Sequence, residues 1–344
     1  MMDQSRTSCR VLVTGGCGFI GSWLVESLLA MGHEVVVIDD LSTGCIENLE
    51  PARASTSDPS RLNVIESTVS SALDGPDLGR FDAIYHMAAA VGVRLVIEKP
   101  IHTIETNIQE TSSLLRFALE QGCPTLIAST SEVYGKSTRT PFSEDDDVSY
   151  GPTTLSRWSY ACSKAIDEYL ALAHHHEHDL PVVIARFFNT VGPRQIGTYG
   201  MVLPRFVMSA MAGEPLIVHG DGQQSRCFCD VRDVVPGITT LLSTSGTHGR
   251  VYNIGSDSLI SIHELAQLVI RTLDSGSSID FVSYEEAFKH GFDDLRVRQP
   301  DLSRIRDAIG FDADIPLETT IRDLADWIGA SGPGSGSSRL GQMQ

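Results

Sequence analysis

The sequence predicts an α/β protein in which a doubly wound, mostly parallel β-sheet is followed by a smaller α+β lobe. Three observations predict this fold. A β-prone run leads through a glycine-rich turn into an amphipathic helical pattern at residues 11–31. Short apolar runs then alternate with helical patterns as far as residue 187, which is typical of parallel sheets. From about Gly192 the elements shorten and turns become frequent, which indicates a second lobe.

The first element is the turn Val-Leu-Val-Thr-Gly-Gly-Cys-Gly-Phe-Ile-Gly at residues 11–21. In this spacing the first glycine permits a tight strand-to-helix turn, the second admits a pyrophosphate against the backbone, and the third lets helix and strand pack closely. The free N–H groups at the positive helix end can then hold a diphosphate. The turn predicts a Rossmann-type dinucleotide site whose contacts are Gly15, Gly18, Phe19, Ile20 and Gly21.

The second strand, residues 34–39, ends in Asp39. A carboxylate at this position accepts hydrogen bonds from an adenosine ribose and repels a 2′-phosphate. The sequence therefore predicts NAD as the cofactor rather than NADP. The loop that follows brings three small residues to the same place, and we assign them to the cofactor site: Ser42, Thr43 and Gly44.

Further elements continue the alternation of strands and helices. Four apolar runs predict strands at 62–65, 83–86, 125–129 and 182–187. The clearest helical patterns between them cover residues 103–120 and 159–174. The smaller lobe has predicted turns at 220–222 and 253–255 and a helix near 262–272.

These elements set the predicted domain boundaries. We expect a dinucleotide-binding domain at residues 10–190, with a returning segment near 226–242. A smaller α+β lobe that binds the substrate should occupy residues 191–328. The Gly/Ser-rich residues 329–344 predict a flexible tail.

Composition narrows the class of partner. The chain has 344 residues, 42% of them hydrophobic, and a formal net charge of −18. Such an acidic chain disfavours nucleic acid and anionic membranes, and an anionic substrate would need its own local arginines. Seven cysteines without a secretory signal before Val11, and no apolar run of membrane-spanning length, predict a cytoplasmic protein with reduced thiols.

Tyr160 and Lys164 carry the predicted chemistry. Four residues apart on a helix, they project from one face, where the ammonium should lower the tyrosine pKa from about 10 toward the range of a base. They follow the strand that ends at Ser129 and Thr130, whose hydroxyls can hydrogen-bond the substrate oxygen that Tyr160 deprotonates. This predicts acid–base chemistry at the carboxyl edge of the sheet.

Together, the motifs resemble one family. They are Thr14-Gly-Gly-x-Gly-x-x-Gly21, Asp39, Ser129-Thr-Ser-Glu-Val-Tyr-Gly135, Tyr160-x-x-x-Lys164 and Asn189-x-x-Gly-Pro-Arg194. Over residues 10–328 the chain resembles the extended short-chain dehydrogenase/reductase family, whose members include NAD-dependent nucleotide-sugar 4-epimerases, 4,6-dehydratases and UDP-glucuronate decarboxylases. The resemblance implies a retained NAD. It also implies that Tyr160 takes the proton of the sugar 4-hydroxyl to give a transient 4-keto sugar.

The resemblance also implies contacts outside the catalytic pair. It places Ala88 and Asn107 at the cofactor. It implies that Arg226 and Arg298 clamp a nucleotide diphosphate by bidentate contacts, helped by the amide of Asn189. The segment 200–206 resembles the part of the family that lies beside the nucleotide base, although it suits a plain helix start equally well. We include from it, as a substrate contact, Val202.

A homodimer is a further implication of the resemblance. Relatives pair two helices into a four-helix interface, and these helices correspond to residues 103–120 and 159–174. Several apolar residues on them could instead belong to the core of one subunit. They are Leu114, Leu115, Ala118, Leu170 and Leu172.

The reaction is predicted from finer details of the same motifs. We expect 4-epimerisation of a UDP-sugar, either UDP-glucuronate or UDP-glucose, because the loop at 86–93 resembles that of epimerases. UDP-glucuronate decarboxylation is the alternative, since the triplet Thr130-Ser131-Glu132 resembles that branch. A 4,6-dehydratase fits less well, because Ser131 replaces the aspartate that serves as its acid. We assign catalytic roles to Thr130, Ser131, Glu132, Tyr160 and Lys164.

Two further features leave alternatives open. Arg194 either binds the carboxylate of a hexuronate or braces its loop, and we include it among the substrate contacts. His174-His-His176 with His178 suggests metal ligands, but adjacent side chains point around a helix rather than toward one ion, so we expect no metal.

Overall fold

The computed structural model describes residues 8–90, 99–197, 201–283 and 295–330, and is built on a seven-stranded parallel sheet. Its strands are β1 Arg10–Thr14, β2 Glu34–Asp39, β3 Leu62–Glu66, β4 Ala83–His86, β5 Thr125–Thr130, β6 Val182–Phe187 and β11 Arg250–Ile254. They lie in the order β3-β2-β1-β4-β5-β6-β11. The order reverses beside β1, which makes the sheet doubly wound, as predicted.

Helices cover both faces of this sheet. Those of the first half are α1 Phe19–Ala30, α2 Glu50–Ser55, α3 Val69–Leu73, α4 Pro100–Gln121 and α5 Ser159–His178. Alternate residues of β1 enter different cores, because successive side chains of a strand point to opposite faces. Val11 and Val13 pack with Leu24 of α1, whereas Leu12 packs with Leu114 of α4.

The second half builds a smaller lobe from short elements. Its strands are β7 Thr190–Val191, β8 Leu216–His219, β9 Ser225–Cys227, β10 Cys229–Asp230, β12 Leu259–Ser261, β13 Ile279–Val282 and β14 Val297–Arg298. Its helices are α6 Val202–Ala212, α8 Ile262–Thr272 and α10 Leu317–Ala330, which enclose a core of their own. The helix α8 starts with a capping box formed by Ser261 and Glu264.

More of the second half returns to the large sheet than the sequence predicts. Helix α7, Val231–Ser243, packs into the same core as α1, and so does the short helix α9, Ser303–Ile309. Residues 253–255, expected as a turn of the lobe, instead include the end of β11, which pairs in parallel with β6. The returning segment therefore reaches Ile254 rather than ending near residue 242.

The two helices expected at a dimer interface pack mainly within the subunit. Leu114, Leu115 and Ala118 are fully buried against the sheet, so they are core residues. The apolar side chains that these helices expose are different ones, namely Ile101, Ile104, Ile166 and Tyr169. Within the described residues, no helix combines the length and the apolar character needed to cross a bilayer.

A buried ion pair attaches α5 to the sheet. Arg186 of β6 donates to both carboxylate oxygens of Glu168, with Nε–Oε1 and Nη2–Oε2 distances of 2.9 and 2.7 Å. Ser129 of β5 donates its hydroxyl to the same carboxylate. Both charged side chains are less than a tenth exposed. The helix that carries Tyr160 and Lys164 is thus fixed to two neighbouring strands.

Glu168→Gln should lower the free energy of unfolding by about 3–5 kcal/mol, because it leaves the Arg186 guanidinium buried without its counter-charge. Urea unfolding measures this loss. The matched control is Glu50→Gln, which breaks the exposed Glu50–Arg53 pair and should cost less than about 1 kcal/mol. Equal small losses in both variants would contradict the role given to the buried pair.

Candidate active site

The candidate site lies where the parallel strands end. Thr14, Asp39, His86 and Thr130 are the last residues of β1, β2, β4 and β5. Since the carboxyl ends of parallel strands share one edge of a sheet, these side chains lie along one crevice, which is where α/β sheets bind ligands. The predicted cofactor and catalytic residues follow these strand ends in sequence.

The glycine turn is packed at backbone contact. Gly15 has a φ of +70°, and a Cβ there would come within 2.6 Å of the Ala88 nitrogen. A Cβ on Gly21 would lie 2.1 Å from the Gly15 carbonyl oxygen. Only glycine therefore allows β1, the start of α1 and the chain after β4 to meet so closely. Such a turn leaves the helix N-terminus open to a diphosphate, and Phe19 and Ile20 lie in its first turn.

The Asp39 carboxylate is fixed by the loops around it. Its Oδ2 accepts the Cys17 N–H and its Oδ1 the Leu41 N–H, each at 2.9 Å. Burial raises the pKa of Asp39, and these two backbone amides oppose the rise. Gly44 approaches so closely that a Cβ would lie 2.9 Å from Oδ1. The expected ribose acceptor is therefore preorganised, whereas the Ser42 hydroxyl turns to the neighbouring Asp40.

The two remaining cofactor candidates lie beside β4. The Ala88 N–H donates to the Thr14 hydroxyl at 3.3 Å. The side chain of Asn107, on α4, accepts the Ala90 N–H at 2.8 Å and donates to the Ser163 hydroxyl of α5 at 3.1 Å. Asn107 thus links the cofactor edge to the helix that carries the catalytic pair.

Tyr160 has an environment that opposes ionisation. Burial raises the pKa of Tyr160, and the Glu132 and Asp167 carboxylates raise it further, while a hydrogen bond with the Thr130 hydroxyl opposes the rise. The helical spacing predicted that the Lys164 ammonium would lower this pKa. In the structure, that ammonium instead donates to Asp167, with an Nζ–Oδ2 distance of 2.8 Å. The groups around the tyrosine therefore favour its protonated form.

Glu132 connects Tyr160 to the arginines of the second lobe. Arg298 Nη1 donates to Glu132 Oε1 at 2.6 Å. Arg226 pairs with Arg298 in the parallel register of β9 and β14, so both side chains lie on one face of that small sheet. The Arg298 Nε is buried and has no hydrogen-bond partner in the described part of the chain. A donor left in this way points to an anionic ligand.

Other expected substrate contacts are placed differently. Arg194 pairs with Glu26, donates to Ser22 and lies 4.2 Å over the Trp23 ring, so it braces its loop against α1. The expectation that it holds a substrate carboxylate does not fit this geometry. The Asn189 amide donates to the Cys227 carbonyl at 3.0 Å, within the lobe. Val202 begins α6 and is partly buried.

Two residues that lie at the candidate site were not predicted from the sequence to belong to it. Asp167 follows Lys164 by three positions on α5, and His86 ends β4. The signal for Asp167 was present, because an acid three residues after a helical lysine shares its face. No signal in the sequence showed that both charges are buried. In the described residues, no group of His, Cys, Asp or Glu is arranged to hold a metal ion.

Comparison with known proteins places this site in a family. A model described as the NAD dependent epimerase/dehydratase family matches residues 11–255. The chain belongs to this NAD-dependent family. The match spans the glycine turn, Asp39, the Tyr160–Lys164 helix and the return to the sheet at β11, and so confirms the resemblance drawn from the motifs.

Individual relatives carry more specific names. The chain is 38% identical to a UDP-N-acetyl-alpha-D-glucosaminuronate decarboxylase of Bacillus cytotoxicus, over 93% of this chain and 97% of that one. It is 35% identical to UDP-glucuronic acid decarboxylase 2 of Arabidopsis thaliana, over 92% of this chain and 67% of that one. A solved structure of DesIV, a dTDP-glucose 4,6-dehydratase of Streptomyces venezuelae with NAD bound, is 30% identical with a TM-score of 0.80, over 92% and 96% of the two chains.

NAD is the cofactor of this family, and the residues present fit it. The glycine turn leaves no room for a Cβ at Gly15 or Gly21, which is what a backbone cradle for a diphosphate requires. Asp39 stands at the end of β2 with its carboxylate oriented by two amides. Bound NAD supplies a reversible hydride acceptor beside the catalytic helix.

Gly21→Ala should reduce the NAD(H) that copurifies with the protein by at least ~10-fold, equivalent to about 1.4 kcal/mol, because the new Cβ would push α1 from the turn. Denaturing the purified protein and assaying the released nucleotide measures this. Gly246→Ala is the control, since a Cβ there meets nothing within 4 Å. Unchanged NAD(H) in the first variant would contradict the cradle, and NADP(H) in the wild type would contradict the role of Asp39.

Proposed function

We propose that the protein is an NAD-dependent decarboxylase of a UDP-hexuronate, with UDP-N-acetylglucosaminuronate or UDP-glucuronate as substrate. Two curated relatives that span more than nine-tenths of this chain carry decarboxylase names. The site geometry is compatible with that reaction. The motifs ranked 4-epimerisation first, and the relatives favour its alternative instead.

The observation in the structure that supports this proposal most is a pair of arginines, one of which contacts a carboxylate that acts on Tyr160. Arg226 and Arg298 share one face of a small sheet, and Arg298 reaches Glu132, whose carboxylate lies near the Tyr160 phenol. The Arg298 Nε is buried without a partner in the described residues, so it is a donor that an anionic ligand can satisfy. In a chain with a net charge of −18, these guanidinium groups suit a substrate that carries a carboxylate and a diphosphate.

Each catalytic residue has a part in this chemistry. Tyr160 takes the proton of the sugar 4-hydroxyl while Thr130 hydrogen-bonds that oxygen, and C4 gives its hydride to bound NAD. The resulting 4-ketone makes the C6 carboxylate part of a β-keto acid. The bond between C5 and C6 then breaks and carbon dioxide leaves. The electron pair of that bond enters the enolate that forms from the 4-ketone. We propose that Glu132, which is next to Ser131, donates the proton that C5 needs. Return of the hydride to C4 and of the Tyr160 proton to the 4-oxygen gives a UDP-linked sugar without the carboxylate.

The alternatives differ in what happens to the ketone. Epimerisation would turn the 4-keto sugar over, and 4,6-dehydration would remove water with an acid at position 131, where this chain has serine. The loop that favoured an epimerase includes residues 91–93, which lie outside the described part of the chain. Since DesIV shares the fold at a TM-score of 0.80, the fold is common to more than one of these reactions.

Assembly and location remain proposals. We propose a homodimer formed through the exposed apolar side chains of α4 and α5, because four of them lie at spacings of three residues on these adjacent helices. They are Ile101, Ile104, Ile166 and Tyr169. We also propose a cytoplasmic location, which agrees with the seven free cysteines.

Incubation with each UDP-hexuronate and mass spectrometry of the products tests the reaction. The proposal predicts a product lighter by one carbon dioxide from at least one hexuronate, and UDP-glucose should return unchanged. A product of unchanged mass with a new chromatographic position would indicate epimerisation. Loss of water would indicate dehydration, and either result would contradict the proposal.

Tyr160→Phe should lower kcat for this reaction by at least ~10²-fold, because it removes the general base. Tyr169→Phe is the matched control, since that tyrosine lies on the same helix with 70% of its surface exposed. Its kcat should equal that of the wild type. Near-normal turnover by Tyr160→Phe would show that the phenol is not the base.

A further inference from the structure

The catalytic lysine has a buried acidic partner, Asp167, three residues further along α5. We propose that Asp167 is a positioning residue, the resident counter-ion of Lys164, which competes with the Tyr160 phenolate for the lysine ammonium. This inference deepens the proposed function, because it rests on Tyr160 acting as the base.

The first support is the burial of the pair. Lys164 is 2% exposed and Asp167 is fully buried, and their Nζ–Oδ2 distance is 2.8 Å. An ammonium group buried without a counter-charge loses its proton readily, because desolvation disfavours the charged form. Asp167 therefore supplies the buried counter-charge of the Lys164 ammonium and fixes its position.

A row of hydrogen-bonded polar side chains leads from β1 to α4, close to Asp167. Thr14 Oγ1 and His86 Nδ1 are 2.8 Å apart, and His86 Nε2 lies 3.1 Å from Thr111 Oγ1. Burial raises the pKa of Asp167, and the Lys164 ammonium and the Thr111 hydroxyl oppose that rise. The hydroxyl of Thr111 on α4 thus lies close to the carboxyl group, whose recorded hydrogen bond comes from Lys164 on its own helix.

His86 acts in this row of side chains as a neutral group. Burial lowers the pKa of His86 to about 3, and the Lys164 ammonium adds to the shift. A neutral imidazole donates from one nitrogen and accepts at the other. If Thr111 gives its proton toward Asp167, it accepts from His86 Nε2, which leaves Nδ1 to accept from Thr14. His86 therefore carries no charge that could replace Asp167 as counter-ion.

The other charged groups near the pair are already engaged. Glu132, on the far side of Tyr160, pairs with Arg298. Glu168, next to Asp167 in sequence, accepts hydrogen bonds from Nε and Nη2 of the Arg186 guanidinium. The groups that can still exchange ion-pair partners are therefore Tyr160, Lys164 and Asp167. In addition, Asp167 Oδ1 has no hydrogen-bond partner among the described residues, so this carboxylate can accept a further hydrogen bond.

The net charge of this triad sets the direction of the effect. With Tyr160 protonated, the ammonium and the carboxylate cancel, so loss of the phenolic proton would leave a buried net charge of −1. Without the Asp167 charge, the same proton loss would take the group from +1 to neutral, which burial favours. Asp167 therefore restrains the base.

Titration of the phenolate by its ultraviolet absorption tests this in the protein as purified. Wild type and Asp167→Asn are each compared with the same protein carrying Tyr160→Phe, so that the difference reports Tyr160. The midpoint should lie at least about one pH unit lower in Asp167→Asn. Asp167→Glu, which keeps the charge, and Glu177→Gln, which removes an exposed charge of the same helix, should leave it in place.

The acid limb of the pH profile of kcat/KM should move to lower pH by a similar amount, a shift that a purely structural role would not produce. If Asp167→Asn does not fold, Asp167→Ser removes the same charge. A Tyr160 midpoint that is unchanged or higher in a folded variant would overturn the proposal. The titration uses no substrate, so it stands or fails independently of which product the enzyme makes.

Discussion

The bidentate pair between Glu168 and Arg186 is the interaction on which the rest of the site depends. It ties α5 to β6, and through the Ser129 hydroxyl it ties the same helix to β5. Because both charges are buried, neither can leave its partner without a large cost. The orientation of α5 over the carboxyl edge is thereby fixed, and with it the position of Tyr160 beside Thr130.

Around this anchor, the site is organised by buried charges that balance one another in pairs. Arg298 faces Glu132, Lys164 faces Asp167, and Arg186 faces Glu168. The third pair is closed by hydrogen bonds on both carboxylate oxygens, whereas Asp167 Oδ1 and Arg298 Nε have no hydrogen-bond partner in the described part of the chain. The fold therefore separates a closed ion pair that positions the helix from two pairs that we propose can exchange partners when ligands bind.

Much of this was predictable from the sequence, and the failures have physical reasons. The bounds of β4, β6 and α8 follow directly from local apolar patterns. The strand β11 was missed because its partner β6 lies far away in sequence, and pairing across such a distance leaves no local signal. Arg194 shows the same limit for a side chain. Its backbone has a φ of +75°, and proximity in sequence could not show that its guanidinium turns to α1.

A crystal structure of Tyr160→Phe with NAD and a UDP-hexuronate tests the central claim most directly, because it measures where the sugar lies relative to the fixed helix α5. The account predicts that the sugar 4-oxygen lies within hydrogen-bond distance of the Thr130 hydroxyl and beside the aromatic ring introduced at position 160. It also predicts that substrate oxygens contact the Arg298 guanidinium. A sugar whose 4-oxygen lies away from Thr130, with Arg298 bound to Glu132 alone, would contradict it.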